Sequence, residues 1–399
     1  MPAIVFRKGL DLKEAVAGDL AAAYHSTLVD AVRAEGHVRR SGRLTVHLAH
    51  EFGFCYGVDR AVDYAYQTRR RFPDKRVFLT GEIIHNPHVN EQLRAKGIRF
   101  LSDPGEDPAA VGPDDVVILP AFGVSIAEMA RLEARGCTLV DTTCGSVLNV
   151  WKNVRRYAQD GFTSVIHGKV HHEETWATAS QTTRYPNGHY LVVRDEAEAA
   201  IVSDHIRQGG DAGTFIRHFG EAASPGFDPD RHLARIGCAN QTTMLMSESL
   251  KIGEMLRQAM TDRYGADDLS SRFRAFDTIC SATQERQDAV EALLAGQPLD
   301  LALVIGGYNS SNTCSLARIC AERVPTFHIA EPACLVSAVE IRHRAIGGPS
   351  TVVVPEQTSR NWLPEGPVGI GLTAGASTPN SIVGEVIERL ESLAGPGRP

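Results

Sequence analysis

Apolar strand-like runs alternating with amphipathic helical stretches along all 399 residues predict an α/β protein with largely parallel sheets. The pattern is sharpest at three joints, where a strand hands over to a helix and one cysteine stands between them. Thr45-Val46-His47-Leu48-Ala49 reads as a strand, Val58-Asp59-Arg60-Ala61-Val62-Asp63-Tyr64-Ala65 opens a helix, and Cys55 falls in the loop. Cys144 stands in the same way between Cys137 to Thr143 and the helical Val147-Leu148-Asn149-Val150-Trp151, and Cys280 between Phe273 to Ile279 and Thr283 to Val290. A thiol at a helix N-terminus feels the positive end of the dipole and ionises more readily, and thiolate is the form that ligates metal. Three such thiolates are able to converge on one cluster.

A formal charge of −7 and 43% apolar residues describe a globular chain large enough for two or three domains, and nothing points to a nucleic-acid partner. Met1 to Asp30 mixes Lys8, Asp11, Lys13, Glu14 and Asp19 with short apolar steps, so it holds no signal-peptide core, and no later run approaches membrane length. A soluble cytoplasmic protein is expected. The eight cysteines (Cys55, Cys137, Cys144, Cys238, Cys280, Cys314, Cys320, Cys334) sit far apart, without the dense spacing of a secreted disulfide framework. Reduced thiols or a metal site are the better reading.

In chain order, Leu12, Ala15, Leu20, Tyr24, Leu28 and Val32 give Leu10 to Glu35 helical spacing, an extension expected to pack on the outside, and Arg39 to Arg43 break it. Arg76 to Thr80 is a strand running into Gly81-Glu82-Ile83-Ile84-His85-Asn86-Pro87. Asn86 and Pro87 make an N-cap and first-turn pair, so His85 stands at a helix entrance, either functional or a hydrogen-bonded loop residue. The strand around Val116 to Leu119 leads through Pro120-Ala121-Phe122-Gly123 to a helix from Ile126 to Arg135.

Thr163-Ser164-Val165-Ile166 runs into His167-Gly168-Lys169-Val170-His171-His172-Glu173-Glu174, six ionisable side chains in eight positions. They are too many for a core and too localised for a random surface; a solvated polar loop is the alternative. Tyr190 to Val193 and Glu196 to Gln208 add a strand and a helix, and Asp211 to Arg231 reads as a loop-rich connection. The strand at Ile236 ends in Gln241-Thr242-Thr243 before a long helix to Tyr264. Leu301 to Ile305 ends in glycines, followed by Asn309-Ser310-Ser311-Asn312. After strands at Pro325 to Ile329 and Val352 to Val354, the chain finishes with Val368 to Pro379 and a helix from Ile382 to Leu390.

In open α/β sheets ligands bind at the carboxyl edge of the strands, and every suggestive group lies on such a loop. Cys55, Cys144 and Cys280 bring thiolates, His85 and His172 imidazoles, Glu174 a carboxyl. Thr242, Ser310, Ser311, Asn312 and Ser377 bring small donors at helix starts, which suit a phosphate and equally an ordinary cap. Lone cysteines without a CxxC pair argue against a structural zinc finger. An iron–sulfur cluster normally takes four cysteines, so three leave one iron with an open position. The other five cysteines have blander places: Cys137 in a strand, Cys238 near one, Cys314 and Cys320 in the helix after Asn312, and Cys334 in a loop.

These residues resemble the 4-hydroxy-3-methylbut-2-enyl diphosphate reductase family. Gly53-Phe54-Cys55-Tyr56-Gly57-Val58-Asp59-Arg60-Ala61 is similar to its first cysteine motif, Glu82-Ile83-Ile84-His85-Asn86 to its first histidine motif, and Asp141-Thr142-Thr143-Cys144 to its second cysteine site. His172-Glu173-Glu174-Thr175 resembles its histidine–glutamate motif, Gln241-Thr242-Thr243 its threonine site, and Cys280 with Ala282-Thr283-Gln284-Glu285-Arg286-Gln287 its third cysteine site. Asn309-Ser310-Ser311-Asn312 is similar to its diphosphate clamp and Thr373-Ala374-Gly375-Ala376-Ser377 to its last serine motif. The likeness runs in the family's order from about Leu44 to Leu390. Phe122 stands where many members have histidine, a mark of the longer form typical of cyanobacteria and plants, and Gly145 stands where proline is common.

The resemblance implies three α/β domains in pseudo-threefold arrangement around a central [4Fe-4S] cluster held by Cys55, Cys144 and Cys280. Residues 1–43 would form an N-terminal extension, 44–144 the first domain joined by 373–399, 145–279 the second and 280–372 the third. It implies a two-electron reductive dehydroxylation of the allylic diphosphate to isopentenyl and dimethylallyl diphosphates, the last step of the methylerythritol phosphate route. The cluster would supply single electrons and a Lewis-acidic iron, with a ferredoxin or flavodoxin as electron donor. His85, His172, Thr242, Ser310, Ser311, Asn312 and Ser377 would surround the diphosphate, and Glu174 would donate the proton that lets the hydroxyl leave as water. A free glutamic acid has a pKa of about 4.3, and burial beside thiolates and a diphosphate pushes such a group upward; two units correspond to roughly 2.7 kcal/mol. Arg69-Arg70-Arg71 fits an acidic donor, and equally a solvated helix end. A non-redox iron–sulfur hydro-lyase, an iron–sulfur sensor that binds a diphosphate, and a zinc-bound structural protein are the rival readings.

Overall fold

A computed structural model describes residues 4–276, 279–347 and 355–394. The chain forms two compact units, one from residues 1–5 and 107–280, the other from 6–106 and 281–399. We refer to them as the mid-chain unit and the split unit. Strands and helices alternate through both, and the sheets are mostly parallel, as the spacing of apolar runs predicts.

The split unit is built on a seven-stranded sheet in the order Glu356–Arg360, Glu340–Arg344, Thr326–Ile329, Leu301–Ile305, Val368–Ala374, Leu44–Leu48, Val38–Ser41. Its centre is parallel: Leu303 pairs with Phe327 on one side and Leu372 on the other, and Ile370 pairs with Val46. Both margins are antiparallel. The last strand of the chain therefore lies between the first long one and Leu301–Ile305. The carboxyl ends of these three neighbours carry Cys55, Ser310 to Asn312 and Ser377. Strand Val77–Leu79, paired in parallel with Ile98–Phe100, leads to His85 in the same unit.

In the mid-chain unit a four-stranded parallel sheet runs Phe273–Ala275, Ile236–Asn240, Thr163–His167, Tyr190–Val193. The first three of these strands deliver Cys280, Thr242 and the His172–Glu174 segment. A further parallel pair, Val116–Leu119 with Thr138–Asp141, delivers Phe122 and Cys144. Local signals set the helix limits. Asn86 accepts from the Val89 N–H at 3.2 Å, Ser125 caps Ile126–Arg135 through the Glu128 N–H at 3.2 Å, and Gly136 ends that helix at φ 71°.

Several expectations are corrected. Leu10 to Glu35 is two helices, Lys13–Tyr24 and Thr27–Ala34, because Ser26 turns extended and caps the second through the Val29 N–H. Nor does that segment only coat the outside: Val29 and Val32 are fully buried in the split unit's core with Val383, Val386 and Leu390. Arg39 to Ser41 do not break a helix but belong to the edge strand Val38–Ser41. Asp211 to Arg231 holds the helix Ala212–Phe219, capped by Asp211, whose Phe215 and Phe219 are buried. Cys137 lies one residue before its strand, Cys238 within one, and Cys334 in a 3-10 turn. Val352 to Val354, expected as a strand, lie outside the described residues.

Candidate active site

In the split unit Cys55 occupies the N-cap of helix Tyr56–Arg71, and its N–H donates to the Ala376 carbonyl at 3.1 Å. The preceding turn needs glycine: Gly53 has φ +78°, and a Cβ there would come within 2.7 Å of Asn380 Oδ1. Arg286, 3% exposed, holds the same turn from the helix Ser281–Gly296, donating to the Gly53 carbonyl at 2.7 Å and to the Phe54 carbonyl at 3.2 Å. Sequence reasoning passed over this arginine. Its signal was a guanidinium on the same helical face as Thr283 and Val290, where a buried cation must find acceptors.

His85 is buried, with Nδ1 2.8 Å from Glu82 Oε2, which fixes the ring plane. Its carbonyl accepts from Ser377 Oγ at 3.3 Å. Gly307 approaches the same carbonyl so closely that an added Cβ would sit 2.2 Å from it, so a larger residue would push the loops apart. Ser310 caps helix Ser311–Ala321 by accepting from the Thr313 N–H at 3.3 Å. Asn312, 1% exposed, accepts from the Ala376 N–H through Oδ1 at 2.9 Å, while its Nδ2 is buried with no hydrogen-bond partner. Thr313 Oγ1 and Thr373 Oγ1 are buried and unpartnered as well. An unmet buried polar atom costs about 1–3 kcal/mol, and three of them lie on the helix start and strand end that form this corner.

In the mid-chain unit Cys144 is the N-cap of helix Gly145–Gln159, its N–H donating to the Ala121 carbonyl at 2.9 Å. Val147, Trp151 and Ala177 pack against it. The polar segment before Glu174 is not a solvated loop: His171 and Glu173 face solvent, whereas His172 and Glu174 are buried at 7% and 1% exposure. His172 Nδ1 accepts the Glu174 N–H at 3.1 Å, so a neutral ring carries its proton on Nε2. The Phe122 ring meets His172 edge to face at 5.3 Å between centroids. Glu174 Oε1 accepts the Thr242 N–H at 2.6 Å, and the Thr242 carbonyl accepts the Cys280 N–H at 3.3 Å. His172, Glu174, Thr242 and Cys280 are thus linked in one hydrogen-bonded series.

Gln241, 1% exposed, was quoted in sequence only as Thr242's neighbour. Its Oε1 accepts from the Lys169 N–H at 3.2 Å and from Thr175 Oγ1 at 3.0 Å, tying together the loops that follow two adjacent strands.

All eight cysteines are outside disulfides. Burial pushes the thiols of Cys238 and Cys320 up to about 12 and raises those of Cys137 and Cys334, which keeps these four protonated at neutral pH. Cys55, Cys144 and Cys280 are instead half-buried, two as helix N-caps and the third immediately before Ser281–Gly296. Their position fits thiolate ligation of a metal cluster, and that of the four buried thiols does not.

A family model described as LytB protein matches residues 46–391. A 4-hydroxy-3-methylbut-2-enyl diphosphate reductase of Gloeobacter violaceus is 51% identical over 98% of this chain and 93% of its own length. One from a Synechococcus strain is 48% identical over 98% and 94%. Among solved structures, that of (E)-4-hydroxy-3-methyl-but-2-enyl diphosphate reductase, described as the terminal enzyme of the non-mevalonate pathway, aligns over 87% of this chain and 99% of its own with 25% identity and a TM-score of 0.50. The Plasmodium falciparum reductase structure aligns over 86% of both chains at 20% identity and a TM-score of 0.60, a likeness of fold.

Proposed function

The chain belongs to the LytB protein family, and on that premise we propose the following account of how its residues carry out the reduction of (E)-4-hydroxy-3-methylbut-2-enyl diphosphate. The enzyme removes the allylic hydroxyl as water and yields isopentenyl and dimethylallyl diphosphates, the last step of the methylerythritol phosphate route. One observation carries the residue-level reading: the split unit leaves Asn312 Nδ2 buried and unmet at a helix N-terminus, a place where a diphosphate supplies acceptors and the dipole favours its charge. Ser310, Ser311, Asn312 and Ser377 grip the diphosphate, with His85 and Thr242. His172 joins them through Nε2–H, since Nδ1 is already engaged.

Glu174 is the proton donor. Its Oε1 is committed as an acceptor to the Thr242 N–H, so the proton it donates would be carried on Oε2, and the short backbone bond aims the carboxyl. Phe122, in place of the histidine found in many relatives, gives His172 an apolar neighbour and leaves the anion contacts to the other donors.

Cys55, Cys144 and Cys280 would hold the [4Fe-4S] cluster, which when bound would supply electrons one at a time and a Lewis-acidic iron. On this reading the chain divides into three α/β domains, 44–144 with 373–399, 145–279 and 280–372, in pseudo-threefold arrangement, each of which would bring one cysteine to the cluster, residues 1–43 being an extension. A reduced ferredoxin or flavodoxin provides the electrons. Among the described residues no helix is long and apolar enough to cross a membrane. The proposed place of work is the cytoplasm.

Anaerobic EPR with and without the hydroxylated diphosphate tests the ligand set. Wild type should show a substrate-dependent change of the cluster signal, and Cys144→Ser should lose that signal. An unaltered spectrum in Cys144→Ser removes this thiol from the ligand set, and turnover without reductant points to a non-redox hydro-lyase.

A further inference from the structure

An open groove of about 790 Å³ runs along helix Gly145–Gln159 in the mid-chain unit. Asn149, Lys152, Arg155, Arg156 and Phe276 line it, with Asp160 as the single acid on its wall. Asp160 is already spent, bonded at 2.5 Å to Arg274, whose guanidinium holds this carboxyl below the usual carboxylate range. Arg155 is fixed by two bonds to Gln181 Oε1, at 2.9 and 2.6 Å, whereas Lys152 and Arg156 are exposed; Arg156 also adds to the field that lowers Asp160. The whole chain carries −7, so this groove opposes the sign of the protein's average charge. Phe276, 44% exposed, adds an apolar lip.

The groove borders the chain segments of two of the three proposed ligand cysteines. Asn149 follows Cys144 by five positions on one helix, about 7.5 Å along its axis at 1.5 Å per residue. Phe276 precedes Cys280 by four positions. The basic run Arg69-Arg70-Arg71 has neither property. It ends helix Tyr56–Arg71, some 21–24 Å along the axis from Cys55, against about 12 Å for Lys152 and 18 Å for Arg156 from Cys144. Arg69 there is occupied with its own backbone, donating to the Lys75 carbonyl at 3.1 Å and to the Phe72 carbonyl.

We propose that this groove docks an acidic one-electron carrier protein of the ferredoxin type, Lys152 and Arg156 meeting its carboxylates and Phe276 its apolar contact. The proposal rests on the reductase reading above. Per turnover two carriers each give up one electron and two protons are taken up; the allylic C–O bond breaks, a C–H bond forms and water leaves. Basic rims of this kind set association rate and partner choice more than final affinity, and their effect fades with salt.

The test uses the cluster-loaded holoenzyme with an acidic [2Fe–2S] ferredoxin as probe, beside dithionite with methyl viologen. For Lys152→Glu/Arg156→Glu the ferredoxin KM should rise about tenfold and lose its salt dependence, with viologen-driven turnover unchanged. Calorimetric binding of oxidised ferredoxin at low salt should weaken to match, and it reports on the groove even without turnover. Lys152→Gln/Arg156→Gln, a milder pair, should fall between. Arg70→Glu/Arg71→Glu should leave both readouts at wild-type values. Unchanged ferredoxin binding in the groove variants, or loss confined to the Arg70/Arg71 pair, overturns the proposal. So does RNA binding to the groove more tightly than ferredoxin does. Wild-type enzyme that turns over with neither donor defeats the reductase reading instead.

Discussion

Two corners of the molecule, one in each unit, leave different polar atoms met and unmet. In the split unit, Asn312 Nδ2, Thr313 Oγ1 and Thr373 Oγ1 are buried and unmet. In the mid-chain unit, Glu174 Oε1, the Thr242 N–H, His172 Nδ1 and Gln241 Oε1 already have partners inside the fold. A corner with unmet donors gains most when an anion arrives, which is what a binding surface requires. A corner whose side chains are aimed by one another before any ligand arrives is preorganised, which is what proton transfer requires. Under the proposed function the difference would give the chemical step to the mid-chain corner, while affinity would draw on the split corner together with Thr242 and His172.

The strongest challenge to this division is Glu174→Gln. The amide oxygen still accepts the Thr242 N–H, but no acidic proton remains, so kcat should fall about 10²–10⁴-fold with little change in KM. A change confined to KM in steady-state kinetics would place Glu174 with the binding groups and break the comparison.

Asn312→Ala sharpens the other side. It removes an unmet donor together with the acceptor for the Ala376 N–H, so KM should rise on the order of 10- to 100-fold, equivalent to about 1–3 kcal/mol, with kcat nearly preserved. Protection against thermal unfolding by inorganic diphosphate should shrink in the same variant. Equal protection of both proteins would mean the diphosphate does not use this corner.

The smallest effect is on stability. His328 lies in the split unit on the strand next to Leu301–Ile305, fully buried, with Nε2–H donating to the Gly306 carbonyl at 3.0 Å, and burial pushes its pKa down to about 3. Because the unfolded chain binds this proton near 6.5 and the folded one does not, His328 favours the folded state above that pH. The advantage is lost progressively as the pH falls from 6.5 toward 3. Between pH 6.5 and 5.5 it should amount to about 1 kcal/mol, read from urea midpoints, and His328→Gln should flatten the slope. His37, His47 and His343 in the split unit and His189 and His232 in the mid-chain unit are also lowered, chiefly by burial, so a slope surviving in that variant is expected to come from these.

Much of this was legible in the residues. The period of apolar positions gave the helix Ile126–Arg135 and the strand Leu301–Ile305, and Asn86-Pro87 announced its helix start, because caps and periodicity act over a few neighbouring positions. The helix Ala212–Phe219 was missed because only two buried phenylalanines anchor it among glycines and charges. The break at Ser26 was missed because helical spacing continues across it. Arg286 and Gln241 act on partners 233 and 72 residues away in sequence, and no local pattern marks an acceptor that distant.

Taken alone, the order of amino acids determined that three cysteines would stand at helix starts and that small donors would gather at strand ends, since both follow from strand–loop–helix alternation. Tertiary structure decided that His172 and Glu174 are buried while His171 and Glu173 are not, that Glu174 receives the Thr242 N–H, and that the donor of Asn312 is left without a partner. Burial and hydrogen-bond pairing are properties of segments brought together from distant parts of the chain, and the parallel sheets, which place strands far apart in sequence side by side, supply that proximity.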